Sequence, residues 1–299
     1  MNAFLLSLVH LLFWIGLFYV PLLIVVWRLD RARKAYKTEA EEPFTDLPLR
    51  LPGESTRKAA DAYFDKAIEW LLLLAGASAL AGFAVAMAPE ANRPVTAITF
   101  GVFVLIVALV SGPRLMKSLR AYWNYQLGFK GERVVAEELN QLLSQGWRVF
   151  HDVPFDGYNV DHVAVGPVGV FAVETKTRRK WKDRATVHAA HIVVWDGKQF
   201  TWPSGTKNEF GLDQAVRNAK TVGDFLSKAT GESVSCQPVL TLPGWFIEPA
   251  GRGNVIVASP KGLHKVLPKC GPITLTAAQV QRVAFQLEQK CRPDGKGVS

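Results

Sequence analysis

Asp161, Glu174 and Lys176 are the residues of this chain whose types and spacing could do chemistry together. The stretch from Asn159 to Lys176 is two β-branched runs joined by Gly166-Pro167-Val168-Gly169, which is a hairpin signal. A turn centred on Pro167 and Val168 sets Asp161 directly opposite Glu174. Opposed side chains have Cβ atoms roughly 4.5–5.5 Å apart, and like charges there are destabilising. A divalent cation between them would remove that penalty. Lys176 shares the face of Glu174 by the period of two along a strand. Val163, Val165, Val170 and Ala172 continue the same face, so the polar cluster ends an apolar surface.

A helix must stand beside this hairpin. Residues 131–145 carry Val135, Leu139, Leu142 and Leu143 at helical spacing, and Glu132 falls on that apolar stripe. A carboxylate facing a core is costly without a partner, although a first-turn acid is also favoured by the helix dipole. An acid on a helix, an aspartate on one strand and Glu-x-Lys at the end of the next form a constellation for metal-assisted phosphodiester hydrolysis. Such hard oxygen ligands suit Mg²⁺ or Mn²⁺. The metal would activate a bound water and polarise the phosphate. Lys176 would orient or deprotonate that water, or pair with the phosphate.

These residues also carry a family resemblance. Gly128-Phe129-Lys130-Gly131-Glu132, Val160 through Phe171, Val173-Glu174-Thr175-Lys176, Asp213-Gln214-Ala215 and Asn218-Ala219 resemble the nuclease-related domain, NERD, over about Gly128 to Leu226. That family is grouped with the PD-(D/E)xK nucleases. The resemblance implies an α/β, restriction-endonuclease-like fold, a mixed sheet flanked by helices. It further implies that Asp161, Glu174 and the Thr175 carbonyl are metal ligands and that Lys176 is the catalytic lysine. Glu132 would be the helix acid and Gln214 the glutamine of the later helix. Family members often carry a glycine shortly after Glu-x-Lys, where this chain has Thr177-Arg178-Arg179-Lys180.

The basic run Arg178, Arg179, Lys180, Trp181 and Lys182 beside the acidic pair suits a phosphate backbone with one stacking aromatic. A net charge of +9 and a pI near 9.5 favour an anionic partner, nucleic acid or the inner face of a membrane. His188 and His191 lack a third zinc ligand nearby, and Gly166 to Gly169 is a turn without the helix and Lys-Ser or Lys-Thr of a phosphate loop. Cys236, Cys270 and Cys291, odd in number, read as reduced thiols.

Strands are expected at 147–153, 237–242 and 254–258. A second hairpin is expected at 192–195 and 198–202, turning tightly at Asp196-Gly197. Amphipathic helices are expected at 212–226, with Ala215, Ala219, Val222 and Leu226 inward, and at 275–291. Gln214 borders the first of these stripes and could point at a ligand or at water.

The N-terminal half differs in kind. Phe4 to Trp27, Ala67 to Ala88 and Val95 to Gly112 are apolar, and the first is long enough to cross a bilayer core of about 30 Å. Arg28, Arg31, Arg33, Lys34 and Lys37 after the first span, and Arg114, Lys117 and Arg120 after the third, place those ends in the cytoplasm and the N-terminus outside. Small residues Gly76, Ala79, Gly82 and Ala86 would let helices pack closely.

The expected organisation is therefore a transmembrane helix over 1–27, a cytoplasmic linker over 28–66 and a transmembrane hairpin over 67–112 with helices 67–88 and 95–112. A basic juxtamembrane connector over 113–127, a nuclease-like domain over 128–291 and a disordered tail over 292–299 complete it. The function expected is a multi-pass inner-membrane protein with a cytoplasmic, Mg²⁺-dependent nuclease domain, DNA being favoured over RNA as substrate. The alternatives are a tethered nucleic-acid-binding module that does not cut, and a scaffold for anionic lipid.

Overall fold

The computed structural model describes residues 3–39, 48–180 and 191–292. The chain divides into two units, Met1–Asp46 with Asp61–Tyr122, and Leu47–Ala60 with Trp123–Ser299.

The first unit contains helix α1 (Ala3–Glu39), most of α2 (Glu54–Met87) and the first part of α3 (Arg93–Asn140). Among the described residues two helices, not the three expected, are long and apolar enough to cross a bilayer: α2 and the helical stretch that holds α3. The first span is helical, but most side chains of its first fifteen residues lie outside the described set. Of the anticipated small residues Gly76 does permit a close approach, since a Cβ there would overlap the Tyr19 hydroxyl of α1, whereas α2 packs on α3 through Leu80, Ala84 and Phe100. Ala79, Gly82 and Ala86 are exposed.

Two stretches expected to be irregular are helical. Arg28 to Lys37 continue α1, and residues 54–66 open α2. The connector over 113–127 lies inside α3, which runs unbroken through Pro113 and Gly128 for 48 residues, about 70 Å at 1.5 Å per residue. A proline removes one backbone donor and its ring crowds the carbonyl four residues before it, a local cost that a long helix can carry when neighbouring bonds hold.

The second unit is a mixed sheet between helices. Its strands are β1 (Arg148–Phe155), β2 (Tyr158–Gly166), β3 (Gly169–Thr175), β7 (Cys236–Thr241) and β9 (Ile256–Ala258), in the order β1-β2-β3-β7-β9. The first three form an antiparallel meander, whereas β7 and β9 are parallel to β3. Asp156-Gly157 makes the two-residue turn from β1 to β2, with Phe155 facing Tyr158. The hairpin register is the one the turn at Pro167-Val168 implies: Val165 faces Val170, Val163 faces Ala172 and His162 faces Val173.

That register assigns side chains to faces. Val163, Val165, Val170 and Ala172 form one core with Ala219, Val222 and Leu226 of α4 (Leu212–Thr230) and Val283, Ala284 and Leu287 of α6 (Ala277–Cys291). Ala164, Phe171 and Val173 face the other way, onto Val135, Leu139 and Leu142 of α3 and its short 3₁₀ extension, and onto Leu263 of α5 (Leu263–Val266), a single turn. Leu143, expected on that stripe, is exposed. Gly146 ends the α3 segment in the left-handed region.

A second, smaller sheet holds β4 (Ile192–Trp195), β5 (Phe200–Thr201), β6 (Lys207–Asn208) and β8 (Phe246–Pro249), in the order β6-β5-β4-β8. Its β4–β5 turn spans four residues rather than two, because Asp196 Oδ1 accepts from the backbone N–H groups of Lys198 and Gln199 and rounds the loop. The two- and four-residue strands β6 and β8 carry too little pattern to be read in sequence. Cys236, Cys270 and Cys291 are free thiols. Residues 293–299, in the anticipated tail, lie outside the described residues.

A buried acid and lysine cluster at the sheet end

Glu174 ends the apolar face of β3 and is only 2% exposed. Its two oxygens are held separately: Lys176 Nζ lies 2.9 Å from Oε1, and Asn218 Nδ2 donates to Oε2 at 2.7 Å. The same Lys176 ammonium donates to Gln214 Oε1 at 2.7 Å. Gln214 and Asn218 are four residues apart on α4 and so share one helix face. Gln214 therefore points into the cluster and not at water. Asn218 was given no role by sequence reasoning, although that spacing was the available signal.

Asp161 stands across the hairpin from Glu174, one step beyond the paired His162 and Val173. Its Oδ2 accepts the Thr175 backbone N–H at 2.7 Å. Glu132, in α3, is buried at 6% exposure and accepts from the Thr56 hydroxyl at 2.7 Å. Gly131 lets α3 come this close: a Cβ there would overlap the Thr177 methyl.

The carboxylates of the cluster repel one another. Burial raises the pKa of Asp161 well above the ordinary carboxylate range, and the charges of Glu174 and Glu132 raise it further. Burial also raises Glu174, against the opposing pull of Lys176 and Asn218. Glu132 is pushed up by burial to about 7, despite its bond from Thr56. Three carboxylates thus share one desolvated site with a single ion-paired lysine, a balance that a further cation would relieve.

The donor chemistry fits a hard divalent ion. Among the described residues no group of three or more His, Cys, Asp or Glu side chains has a metal-holding arrangement. The chain would offer two carboxylates, Asp161 and Glu174, with the Thr175 carbonyl, and water and phosphate oxygens would complete the shell, as Mg²⁺ prefers.

Residues 127–243 match the family model of the nuclease-related domain. This segment is a NERD domain. It contains Glu132, Asp161, Glu174, Thr175, Lys176, Gln214 and Asn218. No curated protein and no solved structure matches the chain.

The basic loop beside the NERD site is less free than its composition suggests. Arg178 lies half-buried with its guanidinium 4.0 Å from the Trp202 ring centre, and its carbonyl accepts from Trp245 Nε1. Arg179 donates to the Trp123 carbonyl at 3.2 Å, and Lys180 lies over Trp245 at 5.4 Å. Arg178 and Lys180 anchor the loop on the aromatic core of the small sheet and Arg179 ties it to α3; Arg179 and Lys180 remain exposed. Trp181, Lys182 and His188 lie outside the described residues. Arg217, exposed on α4, lowers the Glu174 pKa through its charge and is a cation that sequence reasoning did not single out.

Gly211 caps α4 at φ 81°, and a Cβ there would sit 2.7 Å from Lys176 Cγ. Gly211→Ala is therefore expected to cost about 1–2 kcal/mol for the left-handed backbone and to displace Lys176. Both a lower melting temperature and slower turnover are the expected readings. Unchanged values of each would show that Lys176 has slack that the packing does not suggest.

Proposed function

We propose that the chain is a membrane-anchored nuclease whose NERD domain cuts DNA with a divalent metal, Mg²⁺ or Mn²⁺, at the cluster of Asp161, Glu174 and Lys176. The observation that carries this reading is the intact set of carboxylates, Glu132 and Glu174 buried and Asp161 partly so, gathered near one lysine at the end of an antiparallel meander joined to parallel strands. A mixed sheet flanked by helices is what a PD-(D/E)xK nuclease of the restriction-endonuclease-like fold requires, and it supports that assignment.

Asp161, Glu174 and the Thr175 carbonyl would hold the metal, which when bound supplies an activated water and charge for the phosphate. Glu174 orients Lys176 through the 2.9 Å ion pair, and Gln214 fixes the other side of the ammonium. Lys176 is thus set to orient the attacking water or to meet the phosphate charge that builds during reaction. Asn218 keeps Glu174 in one rotamer. Exposed Arg179, Lys180 and Arg217 would meet the substrate backbone, with Arg178 keeping their loop in place. Trp181 and Lys182 complete the proposed contact run.

The apolar helices α2 and α3, with α1, would anchor the protein in the inner membrane. The basic residues after the first and third spans favour a cytoplasmic NERD domain and an external N-terminus. The test is full-length protein in detergent micelles given labelled single- and double-stranded DNA with Mg²⁺, Mn²⁺ or EDTA. Cutting with metal and none with EDTA is expected. Tight, salt-sensitive binding without cutting in any metal would contradict the enzyme and favour a tethered binding module; preference for anionic vesicles over DNA would favour the lipid scaffold.

Metal and pH should act together on stability. Below pH 4.5, the ordinary glutamate value, Glu132 is protonated in folded and unfolded chains alike. As pH rises towards 7 the unfolded chain ionises first, so this group costs the folded state stability across that window. Asp161 and Glu174 act in the same direction. A divalent cation binds the ionised forms, so Mg²⁺ should raise the melting temperature more at pH 8 than at pH 5. Burial holds His151 down at about 4 and lowers His162 as well, which destabilises the fold below the ordinary histidine value of 6.5. That contribution is common to samples with and without Mg²⁺, so the metal increment isolates the carboxylates. An increment equal at both pH values would contradict the assignment.

A further inference from the structure

The turn that opens α2 is built against the acid of the NERD site. Gly53 sits at φ 69° where a Cβ would lie 2.7 Å from the Phe129 ring and 3.4 Å from Glu132 Oε2. Gly128 gives room on the opposite side, since a Cβ there would lie 3.3 Å from the Thr56 methyl. Between these two glycines Thr56 Oγ1 donates to Glu132 Oε1 at 2.7 Å. The neighbouring residue, Ser55, is fixed by Asp152, which accepts both its backbone N–H and its hydroxyl. Asp152 also takes Arg50 Nη1 at 3.1 Å and Asn159 Nδ2 at 3.2 Å, and is itself 2% exposed. Residues 50–56 therefore form a strap whose one side chain directed at the site is Thr56, and the whole strap lies outside the segment that matches the NERD family.

We infer that Thr56 is a positioning residue of the nuclease site, acting through Glu132. The inference rests on the nuclease reading above. Glu132 is buried among like charges, Asp152 and Glu174 among them, so a fixed donor is needed to hold it in one place. The Thr56 hydroxyl supplies that donor and fixes Oε1, while Oε2 lies over Gly53 of the same strap. Thr56 touches neither metal nor substrate; it sets where Glu132 stands, as outer partners of metal sites do.

The experiment uses the full chain in detergent, comparing wild type with Thr56→Val, which keeps the shape and loses the hydroxyl, and Thr56→Ser, which keeps the hydroxyl. Cleavage at varied DNA concentration and Mn²⁺ affinity by calorimetry are read together with the melting temperature. Thr56→Val should lower kcat by about 10- to 100-fold with KM for DNA little changed, and should weaken Mn²⁺ binding. Thr56→Ser should restore both. In a Glu132→Gln background Thr56→Val should cost nothing further, because the pair acts as one unit.

Thr56→Val that cuts and binds Mn²⁺ like wild type overturns the inference and leaves the nuclease reading standing. So does a loss that persists in full beside Glu132→Gln, or one that Thr56→Ser fails to restore. A wild type that neither cuts DNA nor binds Mn²⁺ overturns the nuclease reading, and the inference with it.

Discussion

Lys176→Ala is expected to lower DNA cleavage by about 10²–10⁴-fold, the range of a positioned acid–base group, while DNA binding and Mn²⁺ binding are kept. The ammonium is pinned by two acceptors, Glu174 Oε1 and Gln214 Oε1, from a strand and a helix, so it has one place to act. Removing it leaves Asp161 and Glu174 in position, which is why the metal should still bind. Glu174→Gln separates the roles further. It deletes a ligand charge and the ion pair at once, so cleavage and the metal increment in melting temperature should both vanish. The metal-free fold should change little, because the desolvation cost of the charge goes together with the ion pair to Lys176, which keeps Gln214 as an acceptor. Single-turnover rates, binding by anisotropy and calorimetric melting of the three proteins check this. Equal loss of binding and cleavage in Lys176→Ala would make the lysine a DNA contact and not a catalytic group.

Asp152→Ala should be the most destabilising substitution. Asp152 is nearly fully buried at φ 50°, and four donors converge on it from Arg50, Ser55 and Asn159. Deleting the carboxylate strands those donors and leaves alanine in a conformation it disfavours. A loss of about 3 kcal/mol is expected for the broken ion pair with its hydrogen bonds, read as a melting temperature several degrees lower. A chain starting at residue 113 lacks Arg50, Ser55 and Thr56 altogether and should be weakened in the same way, so cleavage assays belong on the full-length protein. Wild-type stability in either would mean that the strap is dispensable.

How much of this was legible in the sequence depends on range. The turn at Pro167-Val168 fixed the register of β2 against β3, because a one-residue slip would turn every valine of the core face outward. Gln214 and Asn218 lie one helical turn apart, and their common face was readable in principle. Thr56 and Asp152 were not. Thr56 meets Glu132 across 76 positions and Ser55 meets Asp152 across 97, and no local pattern announces a hydrogen bond between a helix start and a distant strand. The change from apolar to basic residues after Gly112 misled in the other direction, since it reads as a boundary between span and connector while α3 passes through it. The basic run after Lys176 was read as a contact for a phosphate backbone; its Arg178 is instead stacked on Trp202, a residue that comes near only once the small sheet folds.

The central claim, that Asp161 and Glu174 hold a divalent metal, is tested most directly by titrating Mn²⁺ into the metal-free full-length protein at pH 7 and recording both heat and proton release. Because burial raises the pKa values of Asp161, Glu174 and Glu132, binding should expel protons, and both binding and release should disappear in Asp161→Asn. Binding that survives in Asp161→Asn, or none in the wild type, would contradict the claim.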